Sequence, residues 1–132
     1  VMEDVCLHDI DCHFAIFHRA SDWTMHKSLF ENVDVCVLSI GMQDILEKTK
    51  LQTIVAHVQD LQRFALECGV QRFIYLNVPE LTSIHEALND ALQNWEMCDF
   101  CNTPEYATSE KGGLTCKSSQ LLSEMLYNMI TQ

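Results

Sequence analysis

The chain has 132 residues, 48% hydrophobic and 20% charged, with only four Gly and two Pro; such a length and balance suit a folded domain and exclude a disordered or linker-like segment. Eight basic against 19 acidic residues give a net charge of −11, which repels nucleic-acid phosphates and anionic membranes and favours a protein partner with a basic surface. No apolar run reaches the roughly 20 residues that a membrane span needs, so no membrane association is expected.

Val1 to Asp11 is acidic and without a clear period. The first residue is Val1 and not an initiator Met, and residues 1–132 are read as a single domain excised from a longer protein. His13 to His18 reads as a short strand. Ser21 is placed to cap a helix over Asp22 to Glu31, with Trp23, His26 and Phe30 on one side. Val33 to Ile40 is nearly continuous in apolar residues, as a central parallel strand should be. The spacing Ile54, Val58, Leu61, Ala65, Cys68 predicts a helix from Lys50, closed by Gly69. Phe73 to Val78 reads as a strand ended by Pro79. A helix is predicted over Ser83 to Trp95, and a last short strand within Asp99 to Tyr106. Gly112-Gly113 makes a turn before a helix from Lys117 to Ile130, whose apolar face is Leu121, Leu122, Met125, Leu126 and Met129.

Strands alternating with helices imply an α/β fold, here a three-layer α/β/α sandwich with a short parallel sheet. In such sheets, functional groups gather beyond the carboxyl ends of the strands. Gly41 to Asp44, Asn77 to Glu80 and Gly112 to Thr115 are expected near that edge.

The order of these pieces resembles the SGNH (GDSL-type) hydrolase family, with a flavodoxin-like layout. Asp34 to Leu38 followed by Gly41-Met42-Gln43-Asp44 looks like the family's strand and Gly-x-Asn-Asp block. "FIYLNVPEL" looks like its second strand and Pro, Asn89 and Trp95 like the next helix, and "EKGGLTCKSSQLLSEMLYNMI" like its closing segment. The match runs from about Cys12 to Ile130. Each chemical position departs from the family pattern. No Gly-Asp-Ser block is present, and the chain is read as starting after the strand that carries it. Gln43 stands where the family has its oxyanion-binding Asn, one methylene longer. The catalytic His falls at Gly113, and the Asp that orients it at Glu110. Ser21 is better explained as a cap, Ser39 as a strand residue, and His85 as a surface histidine than as a displaced base. The resemblance therefore implies a scaffold without its nucleophile and base.

Metal binding is the competing chemistry. Cys98-x-x-Cys101 is half of a zinc knuckle, and Cys6 and His8, beside Cys12 and His13, are the residues that would complete a four-ligand site. A single CxxC is a weak signal, and ordinary reduced cysteines are the favoured reading, with no metal and no cofactor. The seven cysteines are an odd number. Cys36, Cys68, Cys98 and Cys116 fall on or beside apolar positions, where a thiol acts as a small hydrophobe. A reducing compartment, cytoplasm or nucleus, is expected.

Three functions follow as expectations. The leading one is a catalytically inactive SGNH-like domain working as a protein-interaction or assembly module, with Trp23, Tyr106 and Tyr127 as candidate anchors for a partner. The second is a partial or divergent esterase whose nucleophile lies outside this chain. The third is an RNA-associated domain of the type found in the insect germ-plasm protein Oskar, disfavoured because Lys and Arg are few and scattered. An incomplete sheet would also leave an open edge through which a homodimer could form.

Overall fold

The computed structural model describes residues 19–92, 94–110 and 113–132. The predicted strand over His13 to His18, together with Cys6 and His8, lies outside them. The described chain divides into two compact units, the division falling at Met97. Three strands form one sheet in the order β1 (Val35–Leu38), β2 (Arg72–Leu76), β3 (Glu96–Cys98). β1 and β2 are parallel, with Val35 opposite Arg72 and Leu38 opposite Tyr75. This is a mixed α/β architecture.

Among the described strands β2 is the middle one, and Phe73, Ile74, Tyr75 and Leu76 are all buried. The expectation of a central strand at Val33 to Ile40 is therefore met by β2. In β1 only Leu38 is fully buried. A continuous apolar run marks strand character, but its place in the sheet depends on partners remote in sequence.

α2 (Leu51–Glu67) buries Ile54, Val58, Leu61 and Ala65, the predicted stripe. Its end is a Schellman motif. Gly69, at φ +102°, donates its N–H to Leu66 C=O (3.1 Å), and Val70 N–H reaches Ala65 C=O (3.0 Å). α2 packs against α3 (Ser83–Ala91) and against a 3-10 segment, Ala20–Phe30. That segment replaces the predicted α-helix from Asp22 and is broken at His26. Ser21 does not cap it; Arg19 is the cap residue, its N–H bonded to Asp22 Oδ2 at 3.0 Å. Trp23 and Phe30 are buried and meet Phe64 of α2 at 5.5 and 5.8 Å between ring centres.

The strand predicted within Asp99 to Tyr106 forms earlier, as β3. Trp95 leaves the helix, which ends at Ala91, and packs edge-on to Phe73 at 5.1 Å. Glu96 forms a two-pronged ion pair with Arg72 of β2 (2.8 and 2.6 Å). Phe100–Asn102 is instead a single 3-10 turn, in a segment whose Asp99, Asn102 and Pro104 are turn formers.

The unit from Cys98 onwards is organised by α4 (Cys116–Thr131), close to its predicted bounds. Thr115 caps it, accepting from Ser118 N–H at 3.1 Å. Ser118 is fully buried. Its Oγ accepts from Ala107 N–H (2.8 Å) and Thr115 Oγ1 (2.9 Å), and faces the carbonyls of Glu105 and Ala107 as donor (3.1 and 2.8 Å). Thr108 and Leu114 form an antiparallel bridge ahead of the helix. No helix among the described residues is long and apolar enough to cross a membrane.

Candidate functional site

Because β1 and β2 are parallel and in register, the segments leaving their carboxyl ends are neighbours. They meet at Gly41. This residue is buried at φ +123°, ψ −26°, a conformation that L side chains rarely adopt. A Cβ here would overlap Leu88 Cδ2 of α3 and come within 3.8 Å of Val78. Gly41 thus lets β1 turn directly into α1 (Met42–Leu46) against α3.

Asp44 lies one turn further on and is buried. Both its carboxylate oxygens face Ala20 N–H, at 3.1 and 3.3 Å, so the side chain holds the start of the 3-10 segment. Beside it, Arg19 and Glu47 form an exposed two-pronged ion pair, 2.7 to 3.0 Å. The Arg19 hydrogen bond, with one from the Gln43 amide, holds Glu47 below the usual carboxylate range. Gln43 itself is exposed. The carboxylate of the Gly41–Asp44 block is therefore engaged with the chain's own backbone.

Burial pushes the Asp44 carboxyl up from its ordinary value, and the N–H groups of Ala20 and of Asp44 itself offset this in part. A folded value above the unfolded one favours the protonated fold. This contribution is complete below about pH 4, the ordinary Asp value, and is lost as the pH rises through the higher folded value. Asp44→Asn keeps an acceptor for Ala20 N–H without the charge. It is expected to gain stability relative to the native chain as the pH rises from about 4 to 7. Urea midpoints across that range measure the effect; a pH-independent difference would mean that Asp44 titrates as it does in the unfolded chain.

At the carboxyl end of β2 the organising side chain is Asn89, buried on α3. Its Oδ1 accepts from Val78 N–H (3.1 Å) and Tyr75 OH (3.2 Å), and its Nδ2 donates to Val78 C=O (3.0 Å). One amide thus replaces the sheet ladder just where β2 ends. His85 is buried and not at the surface as expected. Its Nδ1 is 2.7 Å from Thr82 Oγ1, the hydroxyl that caps α3, in a part-buried contact. A helix-start position looks exposed in sequence; the packing of α3 on its neighbours buries this one. Ser39 is exposed just past β1.

Glu110 is exposed and Gly113 half-buried, both in the other unit. At Gly113 an added Cβ would meet only Ser109 Oγ, at an ordinary 3.7 Å. Trp23 belongs to the core, as its aromatic neighbours require, and not to the accessible surface that an anchor needs; the Lys27 ammonium lies over its ring at 5.8 Å. Tyr106 is half-buried against Phe100 (5.2 Å), and its phenol bonds Cys101. Tyr127 is exposed on α4.

No group of three or more His, Cys, Asp or Glu among the described residues is arranged to hold a metal ion. Burial pushes the Cys98 and Cys101 thiols up to about 11 and that of Cys36 to about 12, values that disfavour the thiolate needed for nucleophilic attack. Cys116 is exposed in the first turn of α4. Iodoacetamide at about pH 8 is expected to label Cys116 well ahead of Cys36, Cys98 and Cys101, as read by peptide mass mapping. Equal labelling of Cys98 would show that its segment opens readily.

Thr82 and Ser118 carry interactions that sequence reading passes over, and Asn89, singled out there only through the resemblance, carries the bonds that close the end of β2. Thr82-x-x-His85 and Thr115-x-x-Ser118 do have the hydroxyl-to-third-residue spacing of a helix start; the bonds of Asn89 have no local spacing that announces them. No protein-family model matches the chain, and no curated protein and no solved structure matches it.

Proposed function

We propose that the chain is a catalytically inactive domain of the SGNH-hydrolase type, a three-layer α/β/α scaffold that serves as a protein-interaction or assembly module in a reducing compartment. The observation that carries this reading is the engagement of the Gly41–Asp44 block. Both oxygens of Asp44 secure Ala20 N–H, so the carboxylate of this block serves the fold here, while Gln43, at the position of the family's oxyanion-binding Asn, is exposed. The absence of a side chain at Gly113, where the resemblance puts the base, supports it. The net charge of −11 favours a partner with a basic surface.

A divergent esterase is the second reading, and one contact favours it: the part-buried contact of the Thr82 hydroxyl with His85 Nδ1 has the form of a nucleophile and base. Hydrolysis of short p-nitrophenyl esters tests both. The module reading expects no turnover above buffer. Turnover that disappears in Thr82→Val and in His85→Ala would overturn it and establish the esterase.

A further inference from the structure

Cys98 and Cys101 are brought together where β3 ends. The strand stops at Cys98, and the chain bends at once into the 3-10 turn Phe100–Asn102, closed by Asn102 N–H on Asp99 C=O (3.1 Å). The bend aims Phe100 N–H at Cys98 Sγ and carries Cys101 back beside it, near enough for charge on one sulfur to act on the other. The Tyr106 phenol donates to Cys101 Sγ, and its ring stands edge-on to the buried Phe100 at 5.2 Å. All four residues belong to the unit from Cys98 onwards. Cys98 is fully buried and Cys101 half-buried, so one sulfur stays within reach of an ion from solution.

Each sulfur thus has a donor directed at it, a bond that favours the thiolate, while burial opposes the charge and prevails. The Asp99 carboxylate opposes it further at Cys98. What the pair lacks is positive charge. A cation held between the sulfurs supplies it and displaces both thiol protons.

The number and softness of the donors select the ion. Two thiols are half of the set that Zn²⁺ takes, and Ca²⁺ and Mg²⁺ take oxygen ligands. Among the described residues no third His, Cys, Asp or Glu is placed to join the pair. Cu(I) is soft, prefers thiolate sulfur and is satisfied by two such ligands.

We propose that Cys98 and Cys101 form a two-coordinate site for Cu(I). Two S–H bonds break, two S–Cu bonds form, and two protons leave to solvent; nothing is oxidised or reduced. The site goes beyond the interaction-module reading, and neither depends on the other.

The test titrates the full chain, without oxygen, with Cu(I) held by the competing chelator bicinchoninate. One equivalent is expected to pass to the protein, with two sulfur neighbours at the metal by X-ray absorption. Cys98→Ala and Cys101→Ala are each expected to lower affinity by about 100-fold or more. Tyr106→Phe, which keeps both sulfurs and the packing on Phe100, is expected to lower it about tenfold. Cys6→Ala/Cys12→Ala and Cys116→Ala are expected to leave it unchanged. Thermal midpoints of the copper-free variants verify folding; Cys101 is half-buried, so Cys101→Ala decides the matter if Cys98→Ala does not fold. No uptake from the chelator, native affinity in Cys101→Ala, or loss of affinity in Cys6→Ala/Cys12→Ala would each overturn the proposal. Three or more ligands at the metal would overturn it as well, in favour of a larger centre.

Discussion

Gly41→Ala is expected to destabilise the fold by about 3 kcal/mol and to lower the thermal midpoint by roughly 10 °C. Two costs add. The backbone at φ +123° strains any L side chain by roughly 1–3 kcal/mol. The new methyl group would also occupy space held by Leu88 Cδ2, an overpacking cost of about 1–3 kcal/mol. The other glycines separate these causes. Gly69→Ala carries the backbone cost at φ +102° but meets open space. Gly113→Ala meets only an ordinary contact and is expected within about 0.5 kcal/mol of the native chain. The order of loss should be Gly41, then Gly69, then Gly113. Equal losses at Gly41 and Gly69 would show that Leu88 moves aside without cost.

Asn89→Ala is expected to cost about 3 kcal/mol or more, measured by urea unfolding. The substitution leaves Val78 N–H and Val78 C=O without their shared partner and removes the acceptor of one Tyr75 bond, and each buried backbone orphan costs about 1–3 kcal/mol. Asn89→Asp separates the donor from the acceptors. A carboxylate still accepts from Val78 N–H and Tyr75 OH but opposes Val78 C=O, whereas a protonated carboxyl can donate to it. Burial and that carbonyl raise the folded pKa of the new acid. The variant is therefore expected to regain stability below about pH 4 and to lose it as the pH rises. A loss equal at all pH values would mean that the bond to Val78 C=O contributes little.

What the sequence discloses and what it hides divide by range. The stripe Ile54, Val58, Leu61, Ala65 with Gly69 beyond it predicts α2 and its end closely, because periodicity and a C-terminal glycine are local. The 3-10 segment eludes the same reading: its start depends on Asp44, 24 residues away, and on Glu47, 28 residues from Arg19. β3 falls outside its predicted position because Arg72 recruits Glu96 across 24 residues. At the candidate site, a strand followed by glycine discloses the tight turn at Gly41. Whether Asp44 faces solvent or a backbone amide is a tertiary fact, as is the burial of His85 beneath its capping hydroxyl.

Ser118 Oγ accepts from two donors and offers its single proton to the two carbonyls of Glu105 and Ala107, joining three backbone groups and the Thr115 hydroxyl at one oxygen. In many proteins a trapped solvent molecule fills such a place, and it can depart and return. This one is tethered. The turn around Ala107 and the first turn of α4 are therefore joined by an oxygen that cannot diffuse away.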